Sequence, residues 1–475
     1  PKIKILLGGP EVSYEYENVI ALPEIDFIIY GEGETSFQTF LQKFGNWENI
    51  PGLVWKQEGS VKVNVASPNY DIKLFADSMP YRFDDPEALK NKVLYIETSR
   101  GCPYKCEFCL ASLDNKVRYL PMESIKRTLL YMMQNGKVVK FLDLTFNIKK
   151  NFTLEIFQFI LDNYKEGNVF QFEITADILH PDIIKYVNEK VPKDLFRFEI
   201  GIQSVKKEAN LAVNRKQSFA KTTDIINSVR DKVELHLDLI VGLPHDYYED
   251  IKHGIIEVFK LHPPEFQLGF LKFLKGTPVR EKYTEHEYVF DAMPPYQIIE
   301  SKFLSKDEIN SVLRLEEALE IYWNSKRTLH TLKYVSANYS IFDYLKELGE
   351  LFFAKFHLKQ YGLTDIYEMM HQYNTKKHPE NTLLKELTAI DYYLQYKVKP
   401  KEFILNELPK AEKNKFINDN KLNHHLFRFI ILPISFDFAK FANENKIILE
   451  NNYLVIQYSG TEKPHVIANT VIQHA

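Results

Sequence analysis

Cysteine is scarce in this sequence, with three residues in 475, and no apolar run approaches the roughly 18 residues that a membrane-spanning helix needs. So few cysteines exclude a secreted fold held together by disulfides. The formal net charge of −4 provides no general basic field, and no basic stripe with interleaved aromatic residues indicates nucleic-acid binding. Without a signal peptide or a membrane segment, the sequence predicts a cytoplasmic protein.

The rest of the composition is that of a globular protein, with 45% hydrophobic and 26% charged residues. A chain of 475 residues exceeds what one hydrophobic core usually supports, so we expect two or three domains. Changes in pattern predict a short doubly wound segment, a connector, a regular α/β region and a C-terminal α+β region. The predicted boundaries are 1–45, 46–91, 92–290 and 291–475.

The first segment has the order strand, helix, strand, helix, at residues 2–7, 11–22, 26–30 and 36–44. This order is typical of a doubly wound α/β fold. Two strands are too few for a complete sheet. We therefore expect either further strands upstream or pairing with another sheet.

From residue 93 onward, apolar strand-like runs alternate with amphipathic helical stretches, which predicts parallel βαβ units. Six strands suggest an open or partial (β/α)6 barrel, in which reactive groups lie at the carboxyl ends of the strands. The predicted strands are 93–97, 140–144, 170–175, 196–202, 234–241 and 266–273. The predicted helices are 122–135, 152–164, 182–189, 219–230 and 247–261.

The C-terminal region is predicted to contain helices followed by strands. The helices are expected at 307–325, 340–355, 366–373 and 383–396, and the strands at 426–432, 446–450, 453–458 and 466–469. This region contains no constellation of metal ligands or nucleophiles, so we assign it no function.

All three cysteines lie within eight residues, as Cys102, Cys106 and Cys109, with the spacing CxxxCxxC directly after the first regular strand. Thiolates are soft ligands, and one short loop can fold three of them around one soft-metal centre. A structural zinc site needs a fourth ligand, and the nearest histidine is His180. A redox pair would leave one cysteine idle. An iron–sulfur cluster held by three cysteines would leave one iron open to a small molecule.

This spacing, after the first strand of a six-stranded partial barrel, resembles the radical S-adenosylmethionine (SAM) superfamily. The resemblance implies that the three thiolates hold a 4Fe–4S cluster and that SAM chelates the fourth iron. It also implies that reductive cleavage of SAM releases a deoxyadenosyl radical, which abstracts hydrogen from a substrate. The protein would supply orientation and exclusion of water.

The same resemblance assigns cofactor-binding roles to residues near the ends of later strands. Phe108 would pack near the adenine, and Glu173, in FEITADI, would lie near the cofactor. Gln203 and Ser204 end FEIGIQS, with Gln203 near the ribose, and Arg215 would bind the methionyl carboxylate, as suits a guanidinium fork. Asp238 and Gly242, in LDLIVGLP, match the coproporphyrinogen-oxidase-like branch. Asp143, Phe146 and Asn147, after the second strand, are further candidates to face the cofactor or the substrate. His236 and His245 receive no catalytic role, and no catalytic residue is assigned.

Residues 8–13 (GGPEVS) and 31–34 (GEGE) resemble the second half of the cobalamin-binding domain that precedes many radical SAM barrels. The cobalt-ligating DxHxxG motif of some such domains is absent, and no histidine precedes His180. Three alternatives therefore remain open: a longer upstream domain, cobalamin bound without a protein histidine, or loss of this cofactor. The region from about residue 294 resembles an uncharacterised domain appended to these enzymes.

Our first hypothesis is a radical SAM enzyme of the cobalamin-associated branch, with an unknown substrate and reaction. The resemblance implies an electron donor such as flavodoxin or ferredoxin. The alternative hypothesis is a non-catalytic binding protein stabilised by an iron–sulfur or zinc centre.

Overall fold

The computed structural model describes residues 3–66, 70–395, 399, 401–460 and 462–471. Its N-terminal part contains a four-stranded sheet. Its first two strands pair in parallel, and the last two add antiparallel to them in the order β1-β2-β3-β4. The strands are β1 (Leu6–Gly8), β2 (Phe27–Ile29), β3 (Leu53–Gln57) and β4 (Ser60–Val63), and the helices are α1 (Pro10–Ser13), α2 (Tyr16–Ile20) and α3 (Glu34–Gln42).

Strand β2 is buried along its whole length because both faces of the sheet are covered. Phe27 and Ile29 pack in one cluster with Phe40 of α3. Ile28 points to the opposite face and packs with Val12 and Ile20 of the two short helices. The predicted doubly wound arrangement is confirmed.

The predicted connector supplies two strands of this sheet, since β3 and β4 lie beyond residue 45. The two predicted N-terminal strands are therefore completed into a sheet by strands that lie downstream, because β2 pairs with β3. After β4 come a 3₁₀ turn, Ile72–Phe75, and α4 (Pro86–Leu89). The predicted domain boundaries stay predictions.

The central part is an open six-stranded sheet in the order β12-β11-β10-β9-β8-β5. Within this sheet, the strands β5, β8, β9, β10 and β11 pair in parallel. β12 lies beside β11, so β5 and β12 are the edges. The predicted partial (β/α)6 barrel is confirmed. In chain order the strands of this region are β5 (Val93–Ile96), β6 (Ser99–Arg100), β7 (Arg118–Tyr119), β8 (Val138–Phe141), β9 (Val169–Ile174), β10 (Phe196–Gln203), β11 (Glu234–Val241), β12 (Glu265–Phe270), β13 (Val289–Phe290) and β14 (Ile298–Glu300).

Phenylalanine side chains cover the outer face of the parallel sheet. Phe141, Phe172 and Phe198, each from a different strand, are fully buried. Phe172 and Phe198 pack with Phe157 of a covering helix, and Phe141 stacks on Phe172. Burial of each such ring contributes roughly 1.5–3 kcal/mol. The helices of this region are α5 (Met122–Asn135), α6 (Lys150–Asn163), α7 (Pro181–Lys190), α8 (Lys207–Ala212), α9 (Phe219–Val229), α10 (Tyr248–Phe259) and α11 (Pro278–Glu281).

The chain divides into two compact units, Pro1–Ile251 with Gln267–Lys306, and Lys252–Phe266 with Asp307–Ala475. The second unit contains helices and a three-stranded antiparallel sheet in the order β15-β16-β17, as the α+β prediction requires. Its elements are α12 (Lys306–Ala318), a π-helical turn (Leu319–Asn324), α13 (Leu329–Asn338), α14 (Ile341–Phe356), α15 (Leu363–Lys377), α16 (Thr382–Tyr393), α17 (Lys410–Asp419), β15 (Arg428–Phe436), α18 (Phe438–Glu444), β16 (Leu449–Tyr458) and β17 (His465–Val471).

The core of the second unit is rich in large aromatic residues. Tyr322, Trp323, Tyr367 and Tyr393 are among its fully buried side chains. Each buried polar tip has a partner: the Trp323 indole donates to the Pro263 carbonyl at 2.9 Å, and the Tyr322 hydroxyl donates to the Ile366 carbonyl at 3.0 Å. In the part of the chain that the structure describes, no helix combines the length and apolarity needed to cross a membrane.

Candidate functional site

The three cysteines lie in a loop whose ends are held together by a short ladder. Strands β6 and β7 pair antiparallel, so residues 101–117, which we call the cysteine loop, leave the sheet and return to it at one neck. Gly101 has φ +94°, and a Cβ there would lie 2.6 Å from the Lys116 carbonyl oxygen. A side chain at this position would therefore prevent closure of the neck.

Backbone hydrogen bonds order the cysteine loop internally. The Cys102 amide donates to the Asp114 carbonyl at 2.9 Å, and the Cys109 amide donates to the Cys106 carbonyl at 3.1 Å. The Glu107 amide donates to the Val213 carbonyl, beyond strand β10, at 3.0 Å. The loop is thus tied both to itself and to the region that follows β10.

The three thiols are free, and all of them face one cavity of about 350 Å³. Cys102 and Cys106 are buried, and Cys109 is half-buried. Burial raises the pKa of the Cys102 and Cys109 thiols, so a metal must displace protons from them on binding. Among the described residues, no three Cys, His, Asp or Glu side chains are placed to hold one metal ion. The donor set that faces the cavity, three thiols from one short loop, suits an iron–sulfur cluster with one iron left open.

Strands β9, β10 and β11 bring the predicted polar residues to the same cavity. Its lining includes the three thiols together with Phe108, Glu173, Gln203, Arg215 and Asp238. These residues come from widely separated parts of the sequence and meet at the carboxyl ends of parallel strands, as predicted. Their individual cofactor contacts stay predictions.

Arg215 links the cysteine loop to the end of β10. Its Nη1 donates to the Cys106 sulfur at 3.7 Å, its Nη2 donates to the Gly201 carbonyl at 2.6 Å, and its Nε donates to Gln217 Oε1 at 2.7 Å. A guanidinium held on three sides is preorganised to meet a carboxylate in the cavity.

An irregularity in β10 aims Gln203 at the cavity. The pairing register with β11 shifts between Gly201 and Gln203, and Gln203 has a left-handed φ of 67°. Its side chain lies over Gly201, because a Cβ at that glycine would meet the Gln203 amide nitrogen at 2.1 Å. Bulges of this kind commonly redirect a side chain at a functional site.

Ser204 and Gly242, two predicted cofactor ligands, are not among the residues that line the cavity. The buried Ser204 hydroxyl bonds with Asp246 and accepts the Lys206 amide at 3.0 Å. Gly242 has φ +100°, and a Cβ there would lie 2.7 Å from Ile298 Cδ1. Both residues thus have structural explanations, and their cofactor roles stay predictions.

Asp143 and Asn147 hold the frame of the site rather than line its cavity. The buried Asp143 carboxylate accepts the Thr98 amide at 3.0 Å, the Thr98 hydroxyl at 2.6 Å and the Ser99 hydroxyl. Burial raises its pKa to about 6. Asn147 donates to the Thr175 carbonyl at 2.9 Å and accepts the Thr175 amide at 3.0 Å. These bonds fix the loops that follow β5, β8 and β9.

Lys140 and Glu199 also line the cavity and were not predicted from the sequence. Lys140 Nζ lies 2.9 Å from Glu199 Oε1. Burial, with the nearby Glu199 carboxylate, raises the pKa of Glu173 to about 7. The alternation of residues along β10 could have indicated Glu199. It alternates in step with Gly201 and Gln203 and out of step with the buried residues Phe198, Ile200 and Ile202.

Comparison with known proteins identifies two families along the chain. The model of the radical SAM superfamily matches residues 96–255. The model described as a protein of unknown function, DUF4080, matches residues 284–462.

Two curated archaeal relatives extend the match beyond the barrel. An uncharacterised methyltransferase, PH0819, of Pyrococcus horikoshii is 25% identical over 305 residues, which are 58% of this chain and 60% of that protein. An uncharacterised protein, MJ0966, of Methanocaldococcus jannaschii is 26% identical over 264 residues, which are 54% of this chain and 55% of that protein. The chain thus spans little more than half the length of these relatives.

Two solved structures share the fold. The radical SAM methyltransferase TsrM from Kitasatospora setae, solved with cobalamin and a 4Fe–4S cluster, has a TM-score of 0.51 and 13% identity, over 62% of this chain and 61% of that one. The cobalamin-dependent radical SAM enzyme OxsB has a TM-score of 0.52 and 14% identity, over 88% of this chain and 68% of that one. The radical SAM match therefore covers the segment that contains all three cysteines and every residue of the cavity lining except Gln267.

Proposed function

We propose that this protein is a radical SAM enzyme of the transferase type, which binds a 4Fe–4S cluster and SAM in the cavity at the carboxyl ends of its parallel strands. The observation that carries the proposal is the convergence of three free thiols and an arginine on one cavity. When bound, such a cluster supplies the electron that cleaves SAM to methionine and a deoxyadenosyl radical.

In the proposed site, individual residues of the chain have distinct roles. Cys102, Cys106 and Cys109 hold the cluster. Arg215 binds the methionyl carboxylate, because its guanidinium is charged, oriented and beside Cys106. Gln203 and Asp238 line the same cavity and bind the ribose hydroxyls.

Burial contributes to the chemistry by keeping water away. Cys102 and Cys106 are only 8% and 6% exposed. Glu173, with a pKa near 7, holds a proton for part of the time at neutral pH and offers a proton donor or acceptor inside the cavity. Phe108, also in the lining, covers the adenine.

The proposal extends to cobalamin, because the N-terminal sheet leaves open glycine turns beyond β1 and β2. Gly9 and Gly31 have φ of 96° and 80°, and a Cβ built at Gly9 meets no atom within 4 Å. No histidine occurs before His180, so this segment offers no histidine to cobalt. The two solved structures of similar fold are cobalamin enzymes by description, which supports the extension.

Cobalamin retention after gel filtration tests this extension. We expect about one cobalamin per chain to co-elute with anaerobically prepared protein. Protein that retains its iron but releases all of its cobalamin would limit the proposal to SAM and the cluster.

A substrate and a reductant are required by any enzyme of this superfamily. We propose a low-potential electron donor such as flavodoxin or ferredoxin, since the chain's three cysteines are all assigned to one cluster.

Deoxyadenosine formation tests the proposed function. Anaerobically reconstituted protein, reduced in the presence of SAM, should release deoxyadenosine. Cys106→Ala should abolish this yield, and Arg215→Lys should weaken the affinity for SAM about tenfold, because lysine cannot form the two-pronged contact with a carboxylate. Arg82→Lys, on an exposed arginine, is the matched control.

Full deoxyadenosine yield from Cys106→Ala would contradict the assignment of the cluster ligands. A stable cluster in wild-type protein that never yields deoxyadenosine would instead favour the non-catalytic alternative.

A further inference from the structure

Two arginines lie opposite each other at the neck of the cysteine loop. In the β6–β7 ladder, Arg100 pairs with Arg118, one residue before Gly101 and one residue after the loop ends. Like charges directly opposite in an antiparallel pair repel each other. Closure of the neck therefore requires negative charge between the two guanidinium groups.

Glu32 supplies that charge from another sheet. It belongs to the turn after β2, residues 31–34, which we call the acidic turn. Arg118 makes a two-pronged contact with the Glu32 carboxylate, with both N–O distances 3.0 Å. Arg100 Nη1 donates to the same carboxylate at 3.0 Å. One glutamate thus bridges both arginines.

Further carboxylates hold each arginine in place. Arg100 contacts Glu34 at 2.7 Å and makes a two-pronged contact with Glu97 at 2.6 and 2.9 Å. Arg118 also donates to the Asp114 carboxylate, inside the cysteine loop, and to the Tyr70 carbonyl at 2.5 Å. Glu34 and Glu97 therefore serve Arg100 alone, whereas Glu32 joins the two sides of the neck.

Solvent screens these ion pairs only in part, because the three charged side chains are largely buried. The side chains of Arg100, Arg118 and Glu32 are 24%, 11% and 26% exposed. Burial alone would raise the pKa of Glu32, but hydrogen bonds from Arg118, the Tyr70 amide and Arg100 outweigh it and hold the pKa below the usual 4.5. The bridge is therefore fully charged at neutral pH.

We propose that Glu32 is a positioning residue for the cluster and that it clamps the neck of the cysteine loop through Arg100 and Arg118. Through this clamp, the N-terminal sheet contributes to the radical SAM site. The role in cluster binding rests on the proposed function, whereas the clamp on the loop does not. Glu32 itself is not among the residues that line the cavity.

Hydrogen exchange in the cluster-free protein tests the clamp directly. In Glu32→Gln, we expect the amides of the cysteine loop, such as those of Cys102 and Cys109, to exchange about tenfold faster, because the neck opens more often. Peptides from the parallel sheet should be unaffected. Glu24→Gln, on an exposed glutamate of the same segment, is the matched control.

A second substitution distinguishes charge neutralisation by Glu32 from a non-specific loss of order in the cysteine loop. If Glu32 acts by offsetting repulsion between two arginines, Glu32→Gln/Arg118→Gln should exchange more slowly than Glu32→Gln, because one of the repelling charges is gone. Exchange in Glu32→Gln equal to that of the control, or exchange in the double variant faster than in Glu32→Gln, would overturn the proposal. If Glu32→Gln does not fold, Arg118→Lys replaces it, with about threefold faster exchange expected and unchanged exchange as the contrary result.

Iron release tests the consequence for the cluster. Reconstituted Glu32→Gln should lose iron to a chelator about tenfold faster than wild type and Glu24→Gln, and faster than the double variant. Equal rates in all four proteins would overturn the positioning role. Wild-type protein that binds no iron would contradict the proposed function, while the exchange experiment would still decide the clamp.

Discussion

Asp246 is a buried carboxyl group whose charge state affects the stability of the fold. It is 3% exposed and bonds with Ser204, which joins the loop after β11 to the end of β10. Burial, with repulsion from Asp250, raises its pKa to about 7, although Ser204 and Lys206 act in the opposite direction. Near neutral pH the folded protein therefore retains a proton that the unfolded chain has already released.

The contribution of Asp246 to stability should consequently fall as pH rises from about 4 to about 7. In this window Asp246 binds more protons in the folded state than in the unfolded state, so its contribution to the slope of unfolding free energy against pH is negative. Asp246→Asn stays neutral, so its stability relative to wild type should rise with pH by roughly 2–4 kcal/mol and then level off. Urea unfolding at pH 5, 6, 7 and 8 measures this difference. Parallel pH profiles for the two proteins would contradict the raised pKa.

Single residues also show what a sequence pattern can and cannot indicate about the site. The cysteines were readable because three soft ligands within eight residues have few other uses. Lys140 and Glu199 were not singled out, because a charged residue in a strand is usually on a solvated face. The clamp of Glu32 was unreadable, since its partners Arg100 and Arg118 lie 68 and 86 residues away.

At the level of elements, the parallel sheet and its helices were the most predictable part. The bounds of α5 and β11 agree with the prediction at both ends, and the other barrel strands differ by a few residues. Period-two and 3.6-residue patterns are strong there because each element has one well-buried face.

The N-terminal helix predicted at 11–22 was wrong in detail, because the chain breaks it into α1 and α2. Glu15 between them is left-handed, with φ 59°, and its carboxylate binds Arg280 at 2.8 Å, 265 residues away. A long-range ion pair of this kind leaves no local signal.

The C-terminal unit was predicted in outline only. Helices α13, α17 and α18 were missed, and the strands predicted at 446–450 and 453–458 form the single strand β16. The helix predicted at 383–396 matches α16 (Thr382–Tyr393), and its last residue lies outside the described residues. Asn452, in the middle of β16, is buried and donates to the Phe436 carbonyl at 3.3 Å, which explains why a polar residue does not end the strand there.

At the level of the whole molecule, the N-terminal sheet and the parallel sheet belong to one compact unit. Ion pairs join them on two sides, since Glu32 binds the neck of the cysteine loop and Glu15 binds Arg280 beyond β12. We therefore expect substitutions in the N-terminal segment to affect the cluster site, although none of its described residues lines the cavity.

The central claim is that three thiolates leave one iron of a cluster open for SAM. Electron paramagnetic resonance of the reduced, reconstituted protein, with SAM carrying ¹⁵N in its amino group, tests it most directly. We predict about four iron and four sulfide per chain, a spectrum that changes when SAM is added, and a hyperfine coupling to the labelled nitrogen. About one zinc per chain without sulfide, or a cluster whose spectrum SAM leaves unchanged, would contradict the account.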